Sequence, residues 1–383
     1  MSTRNRIPPL LDAYIKLPPE ASLLLLTGVS NATPHWVTTR FLSRFFSQPA
    51  KRRPLVEEQD AALDADTDND DVVVVLVSWM RDFDFWKTDA RRGAGLDLSR
   101  LATEKRFAFI DGLSNLFTPP SYTTEEAKVS PSAQARTTSI PSRSGPLPHR
   151  SPVPSRAPPS VTTPDKPHVT SPTRQIIPGI THVTSPALSS TLATITSAIT
   201  SLQAPSRSVF LILDSPTLLL AAVPDITPTT LSSFILSLRS RVHSTLLVTE
   251  ADSPFLAASA PDAFLSAGDY LHSVREGGGE GKITPLEIDH AAFLVGQAHQ
   301  AKWVMSVKGL ETGTARDVSG VVTVRRGGGW DEELEEGELG FTDRKDHVKG
   351  AAGEEEGREM EALYRVGLDG GVKVFERGAG DVG

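Results

Sequence analysis

The chain has no cysteine. Disulfides and thiolate metal sites are therefore excluded, and an intracellular protein is expected. It also lacks any uninterrupted apolar run of about 18 residues, so no transmembrane helix is expected. The first 28 residues carry basic side chains ahead of an apolar run, but Asp12, Glu20 and four prolines interrupt them. They make a poor signal peptide. Positive charge is in deficit, with 39 Lys and Arg against 47 Asp and Glu and a net charge of −8. That argues against general coating of nucleic acid and leaves room for local basic patches.

What is present divides unevenly along the chain. Apolar residues make up 39% of the 383 positions. That is enough for one core of about 200–250 residues. Glycine and proline number 29 each and charged residues reach 22%, so ordered and unordered stretches are expected to alternate.

Residues 72–117 are the most regular block. Val72–Val77 is a short β-branched run that reads as a strand buried on both faces. Trp79, Phe83 and Trp86 follow at i, i+4 and i+7, with Asp82 and Asp84 where a helix N-terminus favours acids. Asp97 is the expected N-cap of a second short helix, with Leu96 and Leu101 as a hydrophobic staple. Phe107–Ile110 is the next strand, ending in Asp111-Gly112. Strand, helix, helix, strand is the unit of an α/β sheet.

Upstream, prolines frame a short helix over Leu10–Leu17, and Ser22–Leu26 is a buried strand. Thr33 suits an N-cap and Pro34 an N1 position, so a helix is expected from there to Phe46. The loop between is where a phosphate loop would lie. Aligned on Gly28, the second glycine of G-x-x-x-x-G-K-[ST] becomes Thr33, the lysine Pro34 and the hydroxyl residue His35. Proline supplies neither the charge nor an N–H. An active ATPase is one alternative, with Asp214, at the end of the strand Val209–Leu213, in the magnesium-organising position. A serine hydrolase is another. Gly28-Val29-Ser30-Asn31-Ala32 resembles a nucleophile elbow, with Ser30 as nucleophile, Asp214 or Asp225 as acid and His243, His272 or His290 as base. Against it, one strand alone precedes the elbow and no HGGG-type oxyanion loop is present.

The rest of the chain alternates in the same way. Residues 48–71 form an acidic loop, and its Asp64–Asp70 run misses the glycine and glutamate of a calcium loop. Residues 118–186 are rich in Pro, Ser and Thr, carry HVTSP twice (His168–Pro172 and His182–Pro186), and are expected to be disordered. Their Ser-Pro and Thr-Pro steps are candidate phosphate acceptors. Ala187–Leu202 and Thr230–Arg239 read as helices and Ser244–Thr249 as a strand. Pro261–Leu265 and Tyr270–Val274 read as short edge elements, and Glu287–Ala298 as helix or mixed connection. Trp303–Val307 with Val321–Arg325 reads as an antiparallel hairpin, and Tyr364–Leu368 with Val372–Phe375 as another around Asp369-Gly370. Residues 1–47, 72–117 and 187–326 are thus one discontinuous domain, 327–361 an acidic Gly-rich disordered segment, and 362–376 a C-terminal hairpin.

Two stretches carry a family likeness. One is Ile7-Pro8-Pro9-Leu10-Leu11 running to Leu17-Pro18-Pro19-Glu20-Ala21-Ser22 and Leu23–Thr27. The other is Val75–Phe83, then Phe85-Trp86-Lys87, Gly95–Leu98 and Phe107–Leu113. Together they resemble the sixth subunit of the Elongator complex, in a fungal form with long insertions. The likeness covers 7–117 well and 187–325 more loosely.

The resemblance implies a RecA-like α/β fold without Walker motifs: a mostly parallel central sheet flanked by helices. It implies no catalytic residue, no cofactor and no membrane. It also implies a hetero-hexameric ring with the fourth and fifth Elongator subunits, joined to the catalytic subunits, binding tRNA and supporting wobble-uridine modification in cytoplasm and nucleus. Ring contacts are expected around Arg81, Asp82, Phe83, Phe85, Trp86 and Lys87, because exposed aromatics beside charges suit an interface. The other reading is that Phe83 and Trp86 pack on the sheet. Lys302, Arg325 and Arg326 are candidates for RNA proximity because they are basic and lie near the first hairpin.

Overall fold

Alternation along single strands builds the sheet. In the computed structural model, residues 7–29, 32–47, 71–117, 178–252, 284–310, 315, 317–330, 358–367 and 369–376 are described. The chain divides into one unit of residues 1–118 and 176–383 and another of 119–175; all the described residues belong to the first. Ser30, the acidic run 48–70, the first HVTSP, the pairs Pro261–Leu265 and Tyr270–Val274, His272 and residues 331–357 lie outside them.

Seven parallel strands form the centre. They are β1 (Leu23–Val29), β2 (Asp71–Ser78), β3 (Phe107–Asp111), β4 (Ile180–His182), β5 (Arg207–Asp214), β6 (Ser244–Glu250) and β7 (Trp303–Gly309). Antiparallel β8 (Gly320–Arg326), β9 (Met360–Val366) and β10 (Val372–Phe375) extend one side. The order across the sheet is β10-β9-β8-β7-β1-β6-β5-β2-β3-β4. The expected fold class, a mostly parallel sheet flanked by helices, is therefore what the chain forms.

Successive residues of each central strand enter opposite cores. Leu24, Leu26, Val72, Val74, Leu76, Phe210 and Ile212 face one side. There they meet a 3-10 helix (Pro9–Tyr14), α1 (His35–Ser47), α2 (Phe83–Ala94) and α3 (Leu98–Thr103). Leu23, Leu25, Val73, Val75, Val77, Leu211 and Leu213 face the other. It is covered by α4 (Leu188–Leu202), α5 (Leu218–Ala222), α6 (Pro228–Arg239) and α7 (Pro285–Gln300). Burial on both faces explains why β2 and β5 are continuous apolar runs rather than alternating ones.

Local signals set the helix boundaries. Asp82 caps α2, its side chain accepting from the Phe85 backbone N–H, and Gly95 ends that helix in the left-handed region at φ 67°. Asp97 caps α3 by accepting from Ser99 and Arg100, and Leu96 and Leu101 are both buried in one core. α7 is a full helix, opened by a reciprocal capping box between Thr284 and Glu287 with Pro285 at its start. This decides the segment that apolar periodicity left open.

Three boundaries differ from expectation. Ile180–His182 lies inside the stretch expected to be disordered, yet pairs with β3 as an edge strand. Met360 and Glu361, placed in the acidic segment by composition, open β9, and Asp71, placed in the acidic loop, opens β2. In each case pairing with an existing strand supplies the partners that local composition does not advertise.

His290 of α7 gives a pH prediction. It is 6% exposed, and burial lowers its pKa from 6.5 to about 4, with Asp252 pulling weakly the other way. Between those values the unfolded chain holds the extra proton. Stability should therefore rise with pH across that window, and fall by about 3 kcal/mol as pH drops from 6.5 towards 4. Urea unfolding at the two ends of the window measures it. His290→Gln is expected to flatten this limb, and an unchanged limb would remove His290 as its cause.

Candidate functional site

In a doubly wound sheet, ligands sit outside the carboxyl ends of the strands, where neighbouring strands send their helices to opposite faces. Among the described residues this sheet has two such places. β1 leads to α1 on one face, while α7, the next described helix after its neighbour β6, lies on the other. β2 leads to α2 on the first face while its neighbour β5 leads to α5 and α6 on the second. The register pairs at the carboxyl ends are Gly28 with Glu250, and Ser78 with Asp214.

The Ser78–Asp214 crevice is closed by its own side chains. Asp214 and Ser78 are each 0% exposed. Ser78 Oγ donates to Asp214 Oδ2 at 2.6 Å, and Ser215 Oγ donates to Oδ1 at 3.3 Å. Arg81 Nη1 donates to both carboxylate oxygens, at 3.0 and 3.2 Å. A carboxylate has about four acceptor positions, and those contacts fill them. Ser78 Oγ also accepts from the Arg81 backbone N–H at 2.9 Å. The Arg81 guanidinium lies 5.3 Å from the centre of the Phe85 ring. Phe85 meets the His35 ring edge-on at 5.4 Å, and His35 Nε2 lies 3.7 Å from Asp89 Oδ1. Thr39 Oγ1 holds Asp89 by donating to its other oxygen at 2.7 Å. Burial lowers the His35 pKa, with Asp89 opposing, so this imidazole favours the neutral form.

At the Gly28–Glu250 pair the backbone is closely approached. A Cβ on Gly28 would fall 2.7 Å from Glu250 Oε2, 2.8 Å from the Ala32 carbonyl and 2.9 Å from Pro34 Cδ. Glycine is required here by the Ala32 carbonyl and the Pro34 ring, since the Glu250 side chain could swing aside but the backbone could not. Burial raises the Glu250 pKa, with Asp252 and Asp214 adding to the rise and Arg81 opposing it. An acidic side chain against Gly28 is the reverse of the cationic lysine that a phosphate cradle needs.

The aromatics proposed for ring contacts are placed differently from the expectation of exposure. Phe83 is 8% and Trp86 0% exposed, both in the core under α2. Their i, i+3 spacing faces them inward together on that helix. Arg81 is engaged with Asp214, and Asp82 caps α2. Phe85 and Lys87 remain half-buried at the surface.

The three basic candidates do come together, at the opposite end of the sheet. Lys302 precedes β7, whose Trp303 and Val304 pair with Arg326 and Arg325. Lys302 and Arg326 both lie over the Trp330 ring, at 5.0 and 4.7 Å from its centre. Arg325 lies 3.5 Å from Glu359. Of the hydrolase candidates, Ser30 and His272 lie outside the described residues, and Asp214 and His243 lie at opposite ends of neighbouring strands. His243 precedes β6 at the amino end of the sheet, beside Ser244 Oγ at 3.3 Å, about 20 Å of strand away from Glu250. Asp214 is held by Arg81 rather than a histidine. Among the described residues, no group of three or more His, Asp or Glu is placed to hold a metal ion. Among them no helix is long and apolar enough to cross a membrane.

The register of Ser78 with Asp214 had no signal in sequence, since the two are 136 residues apart. From sequence Arg81 is assigned to an interface; its position three residues after the buried end of β2 is the cue to an inward role.

No family model and no curated protein matches the chain. Among solved structures, a KaiC-like protein from the hyperthermophilic archaeon Pyrococcus horikoshii OT3 is similar. It is 12% identical with a TM-score of 0.38, over 93% of this chain and 91% of that one. The fold class rests on the sheet itself, and the chain's own residues carry any functional reading.

Proposed function

We propose that this chain is a non-catalytic, RecA-like structural subunit that works by assembly, and that its place is the accessory ring of Elongator. In that reading it joins the fourth and fifth subunits in a hetero-hexamer bound to the catalytic subunits. The ring binds tRNA and supports wobble-uridine modification in cytoplasm and nucleus. The chain itself needs no cofactor. One observation carries the non-catalytic part: at one carboxyl-end pair Arg81 engages both oxygens of Asp214, and at the other Glu250 stands against Gly28. A site that had to bind nucleotide would keep these groups free for phosphate and metal. The named assembly is supported by the sequence likeness over residues 7–117.

A pull-down of the full chain from cells, read by mass spectrometry, tests the assembly, and equilibrium binding of ATP to the isolated chain tests the site. The expected result is recovery of two related subunits and no tight ATP binding. A chain that ignores those partners, or binds ATP tightly alone, would overturn the corresponding half.

A further inference from the structure

Arg81 has a task at Asp214 beyond ordinary pairing. A fully buried ionised carboxylate needs a counter-charge. At the carboxyl end of such a strand, in enzymes that use nucleotides, the counter-charge is magnesium. Here the guanidinium takes both oxygens, at 3.0 and 3.2 Å. Its side chain is only 13% exposed. It is also held on two other sides: its backbone N–H donates to Ser78 Oγ, and its guanidinium rests on the Phe85 ring.

We propose that Arg81 is a resident counter-cation that takes the place a divalent metal ion would occupy at Asp214, and so keeps the carboxyl edge of the sheet closed to metal-bound phosphate ligands. This deepens the non-catalytic reading and rests on it. Magnesium and manganese need only one or two carboxylates, completing their shells with hydroxyl oxygens and water. Without the guanidinium, Asp214 would stand with the Ser78 and Ser215 hydroxyls on either side. That is a hard-oxygen environment.

The test uses the full chain with Mn²⁺ as the probe, in wild type, Arg81→Gln, Arg81→Lys and the double variant Arg81→Gln/Asp214→Asn. Titration by electron paramagnetic resonance gives the affinities, and thermal melts with and without Mn²⁺ report the folded state. Arg81→Gln is expected to bind Mn²⁺ at least about tenfold more tightly than wild type, and to melt higher when it is present. Arg81→Lys, which keeps a cation, should stay metal-blind, and the double variant should lose the gain. The proposal is overturned if wild type or Arg81→Lys binds as tightly as Arg81→Gln, or if the double variant keeps the gain. It also falls if Arg81→Gln shows no response, including a failure to fold that Mn²⁺ does not repair. ATP binding by wild type would sink the non-catalytic reading itself, whereas a metal-blind Arg81→Gln would leave that reading standing.

Discussion

Trp86→Ala is expected to remove about 4 kcal/mol of folding stability, read as a lower urea midpoint with an unchanged slope. Trp86 is 0% exposed and belongs to the core beneath α2. Its neighbours Phe83, Ala90 and Ala94 are buried on the same side of that helix. Truncation to a methyl group opens a cavity between two rigid layers that cannot close over it. The side chain next to it gives the contrast. Lys87 is half-buried at the surface, so Lys87→Ala should stay within about 0.5 kcal/mol of wild type. Any loss of partner recovery in Lys87→Ala then reports contact, while loss in Trp86→Ala tracks the folded fraction. If Trp86→Ala kept full stability and lost partners, the aromatic would be an interface residue after all.

Arg40→Ala is expected to cost about 3 kcal/mol and to loosen the C-terminal hairpin before the rest of the sheet. Arg40 lies in the middle of α1 and is 1% exposed. Its Nη1 donates to the Gly93 carbonyl at 2.9 Å and its Nη2 to the Gly370 carbonyl at 3.1 Å. It thus ties α1 to the end of α2 and to the turn between β9 and β10. Gly370 adopts φ 80° there, and a Cβ would fall 3.1 Å from the Arg92 carbonyl. Two effects oppose each other. Removing a buried guanidinium relieves its desolvation, which already lowers its pKa. It also leaves two carbonyls without a charged donor and an empty volume along the side-chain stem. With two charge-assisted bonds at about 1.5–3 kcal/mol each, the loss should win. Hydrogen exchange of the amides in 360–375 against those of β2 measures it. Uniform protection across both would show that the hairpin does not depend on Arg40.

Several features were legible in the residues themselves. The runs in β2 and β5 announced strands buried on both faces, because their β-branched residues leave no polar side. Asp82 and Asp97 announced helix starts, since a short carboxylate reaches the free N–H groups of its own first turn. The first hairpin was legible from alternation and the second from Asp369-Gly370, and β9 and β10 then proved to extend the sheet through β8. The loop after Gly28 showed by its proline and missing lysine that it lacks the parts of a phosphate cradle. The helix α7 had its signal too, in Thr284, Pro285 and Glu287, though its apolar pattern is weak. β4 had none: three residues inside a Pro, Ser and Thr-rich stretch become a strand only because β3 offers an unpaired edge.

The sequence by itself determined much of the local grammar of this protein: the long central strands, the capped starts of α2 and α3, and that the expected phosphate loop is incomplete. These depend on interactions within a few residues. Tertiary structure alone decided what stands at the two carboxyl-end pairs. Ser78, Arg81 and Asp214 meet because β2 and β5 pair in register across more than a hundred intervening residues. Glu250 faces Gly28 because β6 lies beside β1. The same long-range packing turned Phe83 and Trp86 inward and placed a charged Arg40 in the interior. The exposure of Phe83, Trp86 and Arg40 follows from what the rest of the chain brings against them, which their own segment does not encode.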